Sequence, residues 1–315
     1  MSTDWVKNET LRHLSDELSY SKVTLEDWYV YRDNVIKRRE QLMSTYCQFI
    51  VPNVARFLRS YDHFVAPAKF YVLPKIHKTP MVGRPIAASH SYITRPISIF
   101  VDELIKPKLR MPTVLRDSSE LIQLLENTVL PHSNCFLVTA DVVSLYPNVD
   151  TKKALVALDL LLREAQAPET PLLIQLSRLV LENNFLSSEF SSDIFHQEYG
   201  IAMGTPFAVT VANAFMYYHE KDIVEQYSSY LTLYRRFIDD IFAIWVGPKD
   251  TLLDFLDALS SKKDRIKLTY CISDSSIPFL DLFLYRDTSS NVLQFSTFQK
   301  PQQISIYTLR VVSSI

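Results

Sequence analysis

The sequence predicts an α+β fold, and two observations support this class. Apolar residues recur at helical spacing in some segments and alternate in others, and the two kinds of segment follow one another without the regular βαβ order of a parallel sheet. Of the 315 residues, 47% are hydrophobic and 22% are charged, as in a folded protein with a substantial core. This length suits one large domain or two small ones.

The first 66 residues are predicted to form a helical N-terminal region, because Leu11, Leu14 and Leu18 fall on one face of a helix. Pro67 interrupts this pattern. The elements predicted after it are, in chain order, a strand at 70–73, a helix at 98–104, a helix that Asp117 and Glu120 begin with a capping-box pattern, a strand at 136–141, helices at 151–165 and 171–184, a hairpin at 184–198, a long helix ending near 227, strands at 231–239 and 240–246, a helix at 249–262, strands at 266–272 and 279–285, and a hairpin at 292–307.

Several protein classes lack their usual signature here. The chain has only four glycines and contains neither GxGxxG nor GxxxxGK[ST], which argues against dinucleotide-binding and P-loop folds. Its cysteines, Cys47, Cys135 and Cys271, form no CxxC pair, so we expect no disulfide framework or structural zinc site and an intracellular location. Residues 199–218 carry no charge, but their Gly, Pro and Asn residues favour a buried loop and helix over a membrane span.

Positive charge is concentrated in residues 69–110, although the whole chain has a net charge of −2. This segment has an excess of six positive charges. A solvated basic face and a phosphate-binding surface both explain such a segment, and charge alone leaves the two open.

Two acidic residues, Asp239 and Asp240, interrupt the apolar segment YRRFIDDIFAIW. Two carboxylates buried side by side repel each other, and burial would raise the pKa of each. Either an exposed hairpin turn or bound divalent cations would remove this conflict.

A third acid, Asp141, ends the predicted strand at 136–141. On its own it is explained as a cap on the next turn. Together with Asp239 it offers carboxylates from two strands, which antiparallel pairing would bring close. Oxygen ligands of this kind suit Mg²⁺, and a two-ion site both activates an attacking hydroxyl and stabilises a leaving oxygen.

The segment GIAMGTPF at 200–207 holds half of the glycines. Glycine permits close backbone approach to a ligand, and Pro206 suits the first turn of a helix. A plain loop-to-helix junction explains the segment equally well.

Six segments occur in a specific order over about residues 69–300: LPKIHK…RPIAAS, TADVVSLYPNVD, GIAMGTPFAVTVAN, YRRFIDDIF, IPFLDLFLY and FQKP. This series resembles reverse transcriptases, most of all those of Penelope-like retroelements. The resemblance implies a right-hand polymerase fold, with fingers and an antiparallel palm sheet packed on helices. It implies an RNA-directed DNA polymerase that binds an RNA template, a DNA primer and dNTPs, with the nucleus as its location.

The resemblance also implies the metal ligands. Asp141 and Asp239 would hold two Mg²⁺ ions, or Mn²⁺ in their place, with Asp240 in a lesser role and the Val142 carbonyl as a further ligand. The primer 3′-hydroxyl would attack the α-phosphorus of a dNTP, with positioning and electrostatics supplying most of the catalysis.

For nucleotide binding, the resemblance assigns the triphosphate to Lys75 and Arg84, and Lys78 is an alternative to Lys75. Tyr146 would be a steric gate against a ribose 2′-hydroxyl, although core packing also explains an aromatic residue there. It places Met203 and Gly204 near the template–primer pair, where many reverse transcriptases have Gln in place of Met. It assigns the general acid to Lys262, Lys263 or Lys267. It assigns the primer grip to Phe298, Gln299 and Lys300.

The predicted organisation is a helical N-terminal region at 1–66, fingers and palm at 67–300, and the start of a thumb or a truncated end at 301–315. No thumb or GIY-YIG endonuclease pattern is present in the sequence, so we expect a fragment, a truncated copy, or one part of an assembly in which a partner chain supplies them.

Three rival interpretations remain. Family B DNA polymerases share the DxxSLYP pattern seen at 141–147 but also need a YxDTDS motif, which this sequence lacks. An inactive nucleic-acid-binding remnant of a reverse transcriptase would keep the basic segment without needing the acids. An interaction scaffold would reuse the fold alone.

Overall fold

A computed structural model of the chain describes residues 2–75, 80–126, 128–131, 134–261, 265–287 and 292–298. They fold into two compact units, the first from the described residues within Met1–Arg110 and Tyr146–Phe215 and the second from those within Met111–Leu145 and Met216–Ile315. The helices are α1 Thr3–Leu14, α2 Leu25–Thr45, α3 Pro52–Leu58, α4 Arg95–Ile105, α5 Ser118–Leu125, α6 Leu145–Asn148, α7 Thr151–Glu164, α8 Thr170–Leu181, α9 Ala208–Gln226 and α10 Lys249–Leu259. The strands are β1 Tyr20–Val23, β2 Ala68–Lys75, β3 Val82–Ala88, β4 Cys135–Val142, β5 Phe185–Ser188, β6 Ser191–Gln197, β7 Leu231–Phe237, β8 Asp240–Val246, β9 Leu268–Ser273, β10 Ser276–Phe279, β11 Leu282–Arg286 and β12 Leu293–Thr297.

The first unit is built on a five-stranded sheet with the order β1-β6-β5-β2-β3. β2 and β3 form an antiparallel hairpin, and β2 also pairs with β5 in parallel. The predicted helices at 151–165 and 171–184 and the hairpin at 184–198 are confirmed as α7, α8 and the β5–β6 pair.

The N-terminal segment corrects one prediction. Residues 1–66 do contain three α-helices, but β1 lies between the first two and pairs antiparallel with β6. Tyr20 lies opposite Gln197 in this pairing. The segment therefore shares a sheet with β2 and β3, and the predicted boundary at 66/67 is not a boundary between the two units.

The second unit contains a four-stranded antiparallel sheet with the order β7-β8-β4-β9. One face of it carries Phe242 and Ile244, which pack with α5 and with residues of β10 and β11 in a single buried cluster. On the opposite face, the indole of Trp245 stacks on the Phe255 ring of α10 with the ring centroids 5.5 Å apart. Because both faces of the sheet are covered, the sequences of β4 and β8 are almost continuously apolar.

Helix α5 begins as its sequence predicts. The Asp117 carboxylate caps it by accepting a hydrogen bond from Glu120 N at 2.9 Å. The reciprocal half of the capping box is replaced, because the Glu120 carboxylate instead accepts from Arg116 N at 2.8 Å.

Two predictions near the C-terminus are corrected. The segment predicted as one strand at 279–285 instead turns at Leu280 and Asp281, which separates β10 from β11. Leu280 adopts a positive φ of 54° in this turn. The predicted hairpin at 292–307 has its first strand as β12, which pairs with β11, and residues 299–307 lie outside the described part of the chain.

Among the described helices, none combines the length and apolar composition that crossing a membrane requires. The uncharged stretch at 199–218 is a loop followed by most of α9, as predicted.

Candidate active site

The three acids lie together at one edge of the four-stranded sheet. β4 pairs antiparallel with β8, and in this register Asp141 lies directly opposite Asp240. Asp239 precedes β8, and its carbonyl accepts a hydrogen bond from Val142 N at 2.9 Å. Neighbouring antiparallel strands thus carry Asp141 and Asp240, which are almost one hundred residues apart in the chain, whereas Asp239 lies outside the strand in which it was predicted.

Asp239 sits in the tight turn of the β7–β8 hairpin. Phe237 pairs with Asp240, so Ile238 and Asp239 are the two turn residues. Ile238 has a φ of 56°, a left-handed conformation that is strained for a β-branched side chain. Asp239 therefore lies in a hairpin turn, but it is half-buried rather than exposed, and Asp240 is the first residue of β8.

Two of these acids, Asp141 and Asp240, line a cavity of about 320 Å³. This volume lies at the lower end of the range for small-molecule sites. Apolar and aromatic groups from β9, β10 and the residue after β12 form most of its wall. The lining includes Thr139, Asp141, Asp240, Cys271, Phe279 and Phe298.

The donor set at this edge fits a hard divalent cation. Mg²⁺ is bound in proteins by one or two carboxylates together with water and substrate phosphates. Asp141 is exposed and Asp240 is half-buried, and both residues line the cavity. Within the described ranges, no three His, Cys, Asp or Glu side chains converge as a ready-made metal cage.

Sequence reasoning missed a buried polar cluster that supports the turn. The Arg236 Nε donates to a Glu220 carboxylate oxygen at 2.7 Å, and both side chains are fully buried. The Tyr234 hydroxyl donates to the same carboxylate at 3.0 Å. Burial and the neighbouring Glu220 charge raise the pKa of Tyr234 well above its usual value, so it remains a donor. No local pattern indicates this cluster, because Glu220 is one of three acidic residues in the C-terminal half of α9.

One general-acid candidate has a defined place. Lys267 is exposed, and its carbonyl accepts a hydrogen bond from Val143 N at 2.8 Å, two residues after Asp141. Of the primer-grip residues, Phe298 lines the cavity, and its amide donates to the Asp281 carbonyl at 2.6 Å. Lys78, Lys262, Lys263, Gln299, Lys300 and the segment 301–315 lie outside the described residues.

In the first unit, the predicted phosphate-binding residues lie on the β2–β3 hairpin. Arg84 is exposed opposite Leu73, and Lys75 is half-buried at the end of β2. Helix α1 holds this hairpin, because the Glu9 carboxylate accepts from Gly83 N at 2.7 Å. A hydrogen bond from Arg12, together with this amide, lowers the pKa of Glu9 to about 2.

The Gly200–Gly204 loop packs on the same unit. The Tyr146 carbonyl accepts from Ile201 N at 2.8 Å, and the Tyr146 side chain is half-buried. The Met203 carbonyl accepts from Ala87 N at 2.7 Å. Gly204 has a φ of 112°, and a Cβ there would lie 2.4 Å from the Ala87 carbonyl oxygen. This glycine therefore allows close contact between the loop and β3. The sequence had indicated close approach to a ligand instead.

Comparison with known proteins identifies the fold. No protein-family model matches the chain, and no curated protein matches it by sequence. A telomerase from Candida tropicalis, truncated from its C-terminal domain, matches with a TM-score of 0.54 and 14% identity, over 74% of this chain and 56% of the telomerase. Telomerase from Candida albicans, in complex with a fragment of telomeric RNA, matches with a TM-score of 0.52 and 10% identity, over 76% and 49% of the two chains.

A viral polymerase shares the same fold. The RNA-dependent RNA polymerase of a human picobirnavirus matches with a TM-score of 0.52 and 13% identity, over 79% of this chain and 53% of the polymerase. The chain thus has the polymerase fold common to telomerase and viral RNA-dependent RNA polymerases. It spans about half the length of the telomerases it matches.

Proposed function

We propose that this chain is the fingers-and-palm part of an RNA-directed DNA polymerase, of the kind found in Penelope-like retroelements. One observation carries the proposal: the β4–β8 register places Asp141 opposite Asp240, with Asp239 in the adjoining turn, and Asp141 and Asp240 line a cavity large enough for a small ligand. The shared fold and the ordered series of six sequence segments support it.

In this proposal, Asp141 and Asp239 are the metal ligands, with Asp240 and the Val142 carbonyl beside them. Bound Mg²⁺ would lower the pKa of the primer 3′-hydroxyl and offset the charge of the phosphates. The strained turn at Ile238 holds Asp239 in place before any ligand arrives, which limits reorganisation during the reaction.

Nucleotide binding would involve Lys75, Arg84 and Tyr146. Arg84 offers a planar fork and Lys75 a point charge to a triphosphate. Tyr146 would exclude a ribose 2′-hydroxyl, which favours dNTPs over ribonucleotides. We further propose an RNA template and a DNA primer as partners, an intracellular and by resemblance nuclear location, and a thumb supplied by another part of the protein or by a partner chain.

The test is primer extension on a primed RNA template with dNTPs and Mg²⁺. The wild-type chain is expected to extend the primer, and Asp239→Asn and Asp141→Asn to abolish extension without changing the thermal unfolding midpoint by more than a few degrees. Asp254→Asn, an exposed carboxylate of α10, is the matched control and should retain activity.

Two outcomes would contradict the proposal. Primer extension by the Asp239→Asn variant would show that the Asp239 carboxylate is not needed for the reaction. Salt-dependent RNA binding by the wild-type chain without any extension would favour an inactive remnant instead.

A further inference from the structure

The turn that carries Asp239 rests on an ion pair that is buried on both sides. Arg236 and Glu220 are both fully buried, and their side chains meet at 2.7 Å. For comparison, the buried Arg39 pairs with Asp62, whose side chain is about one-third exposed. In a fully buried ion pair, the attraction between the charges offsets the free-energy cost of desolvation only when the remaining donors and acceptors are also hydrogen-bonded.

The Glu220 carboxylate is extensively bonded. One oxygen accepts from the Thr113 hydroxyl at 2.8 Å, and the other accepts from both Tyr234 and Arg236. These donors come from β7 and from the segment before α5, so the carboxylate on α9 links three parts of the second unit.

The backbone of Arg236 is also fixed. Its amide donates to the Thr113 carbonyl and its carbonyl accepts from Leu115 N, each at 2.8 Å. The guanidinium therefore projects from a strand position that has little freedom to move.

The same guanidinium reaches the turn. Its Nη1 donates to the Ile238 carbonyl at 2.9 Å. That carbonyl belongs to the peptide group between Ile238 and Asp239, and Ile238 is the strained residue of the turn. The next carbonyl, that of Asp239, is held by Val142 N. Two successive peptide groups of the turn are thus anchored, one by Arg236 and one by β4.

Stability alone does not account for this arrangement. Well-packed apolar residues in place of a buried ion pair are often as stable or more so. A pair that bonds a strained peptide next to a metal-binding carboxylate has a geometric use, as groups that orient metal ligands do elsewhere.

We propose that Arg236 is a positioning residue that fixes the Ile238–Asp239 peptide and so aims the Asp239 carboxylate, and that Glu220 holds Arg236 in place for this purpose. The inference rests on the proposed function, because it takes Asp239 to be a metal ligand. Removing such an orienting group typically weakens metal binding about 10- to 100-fold.

Direct Mn²⁺ binding to the protein without nucleic acid, followed by electron paramagnetic resonance, tests this proposal. In Arg236→Lys the charge remains, but one ammonium cannot reproduce the planar fork that contacts both Glu220 and Ile238. We expect the Kd for Mn²⁺ to rise about 10- to 100-fold and the amides of residues 237–242 to exchange hydrogen faster. High Mn²⁺ should restore primer extension by this variant but not by Asp239→Asn.

A matched control separates positioning from stability. Arg39→Lys removes the fork of another buried arginine, which bonds Leu58 and Asp62 in the first unit. It should lower the unfolding midpoint and leave the Kd for Mn²⁺ unchanged. Tyr234→Phe, which removes one donor to Glu220, is the milder variant if Arg236→Lys does not fold, and it should raise the Kd for Mn²⁺ less than Arg236→Lys does.

The outcomes distinguish the two proposals. If Asp239→Asn loses Mn²⁺ binding while Arg236→Lys and Tyr234→Phe bind as the wild type does, the positioning role is wrong and the proposed function stands. If Asp239→Asn itself binds Mn²⁺ with wild-type affinity, both proposals are wrong.

Discussion

Substitution of Gly204 by alanine tests the close packing of the 200–204 loop on β3. The φ of 112° is one that residues with a Cβ rarely adopt, and the added Cβ would lie 2.4 Å from the Ala87 carbonyl oxygen. That oxygen belongs to backbone in the sheet, where Ala87 pairs with Phe70, so it cannot rotate away as a side chain would.

The structure sets the size of the effect. A residue held in a sparsely populated backbone region costs about 1–3 kcal/mol. Displacing Ala87 also weakens its amide hydrogen bond to the Met203 carbonyl, worth about 1 kcal/mol. The total is about 2–4 kcal/mol, which lowers the Tm of a unit of this size by roughly 5–15 °C.

Differential scanning calorimetry measures this shift, with Gly83→Ala as the comparison. A Cβ at Gly83 would lie 2.7 Å from Glu9 Cγ and 3.0 Å from Val72 Cβ, and the first of these atoms belongs to a flexible side chain. Gly83→Ala should therefore lower the Tm less. A Gly204→Ala protein that unfolds within 1 °C of the wild type would show that the argument from the Ala87 contact is mistaken.

Two further predictions concern the first unit. Tyr146→Ala should lower the preference for dNTPs over ribonucleotides, expressed as the ratio of kcat/KM, about tenfold or more, and an unchanged ratio would leave Tyr146 a packing residue. Glu9→Gln should destabilise the protein at pH 7, and the difference from wild type in urea midpoint should shrink as the pH falls below 4.5. The sign follows from the pKa of Glu9, which is about 2 in the folded protein against an ordinary 4.5, so its stabilisation is complete above 4.5 and is lost toward pH 2. A difference that stays constant from pH 7 to pH 3 would contradict the assigned role of the Gly83 and Arg12 contacts.

Local sequence patterns predicted most helices and strands of this protein. The Asp117 cap, the apolar spacing of α7 and α8, and the apolar run of β4 each depend on residues within one element, where side-chain direction repeats with a fixed period. β1 escaped prediction because its four residues, YSKV, carry no such period. It is a strand only because β6, about 170 residues later, offers it a partner.

For the candidate site too, the sequence predicted the local features and the structure was needed for the long-range ones. The identity of the acids and their order along the chain were readable from the sequence, because each motif is a short local segment. The pairing of Asp141 with Asp240 and the turn conformation of Asp239 required the β4–β8 register, which is a long-range property.

The sequence by itself determined the α+β class, most of the elements and the acids at 141, 239 and 240, since chemistry and periodicity are local. Only the tertiary structure decided that Arg236 is buried against Glu220 beneath the turn rather than exposed on a basic surface. The physical reason is that burial and ion pairing depend on which distant helix covers a strand, and no local pattern specifies that neighbour.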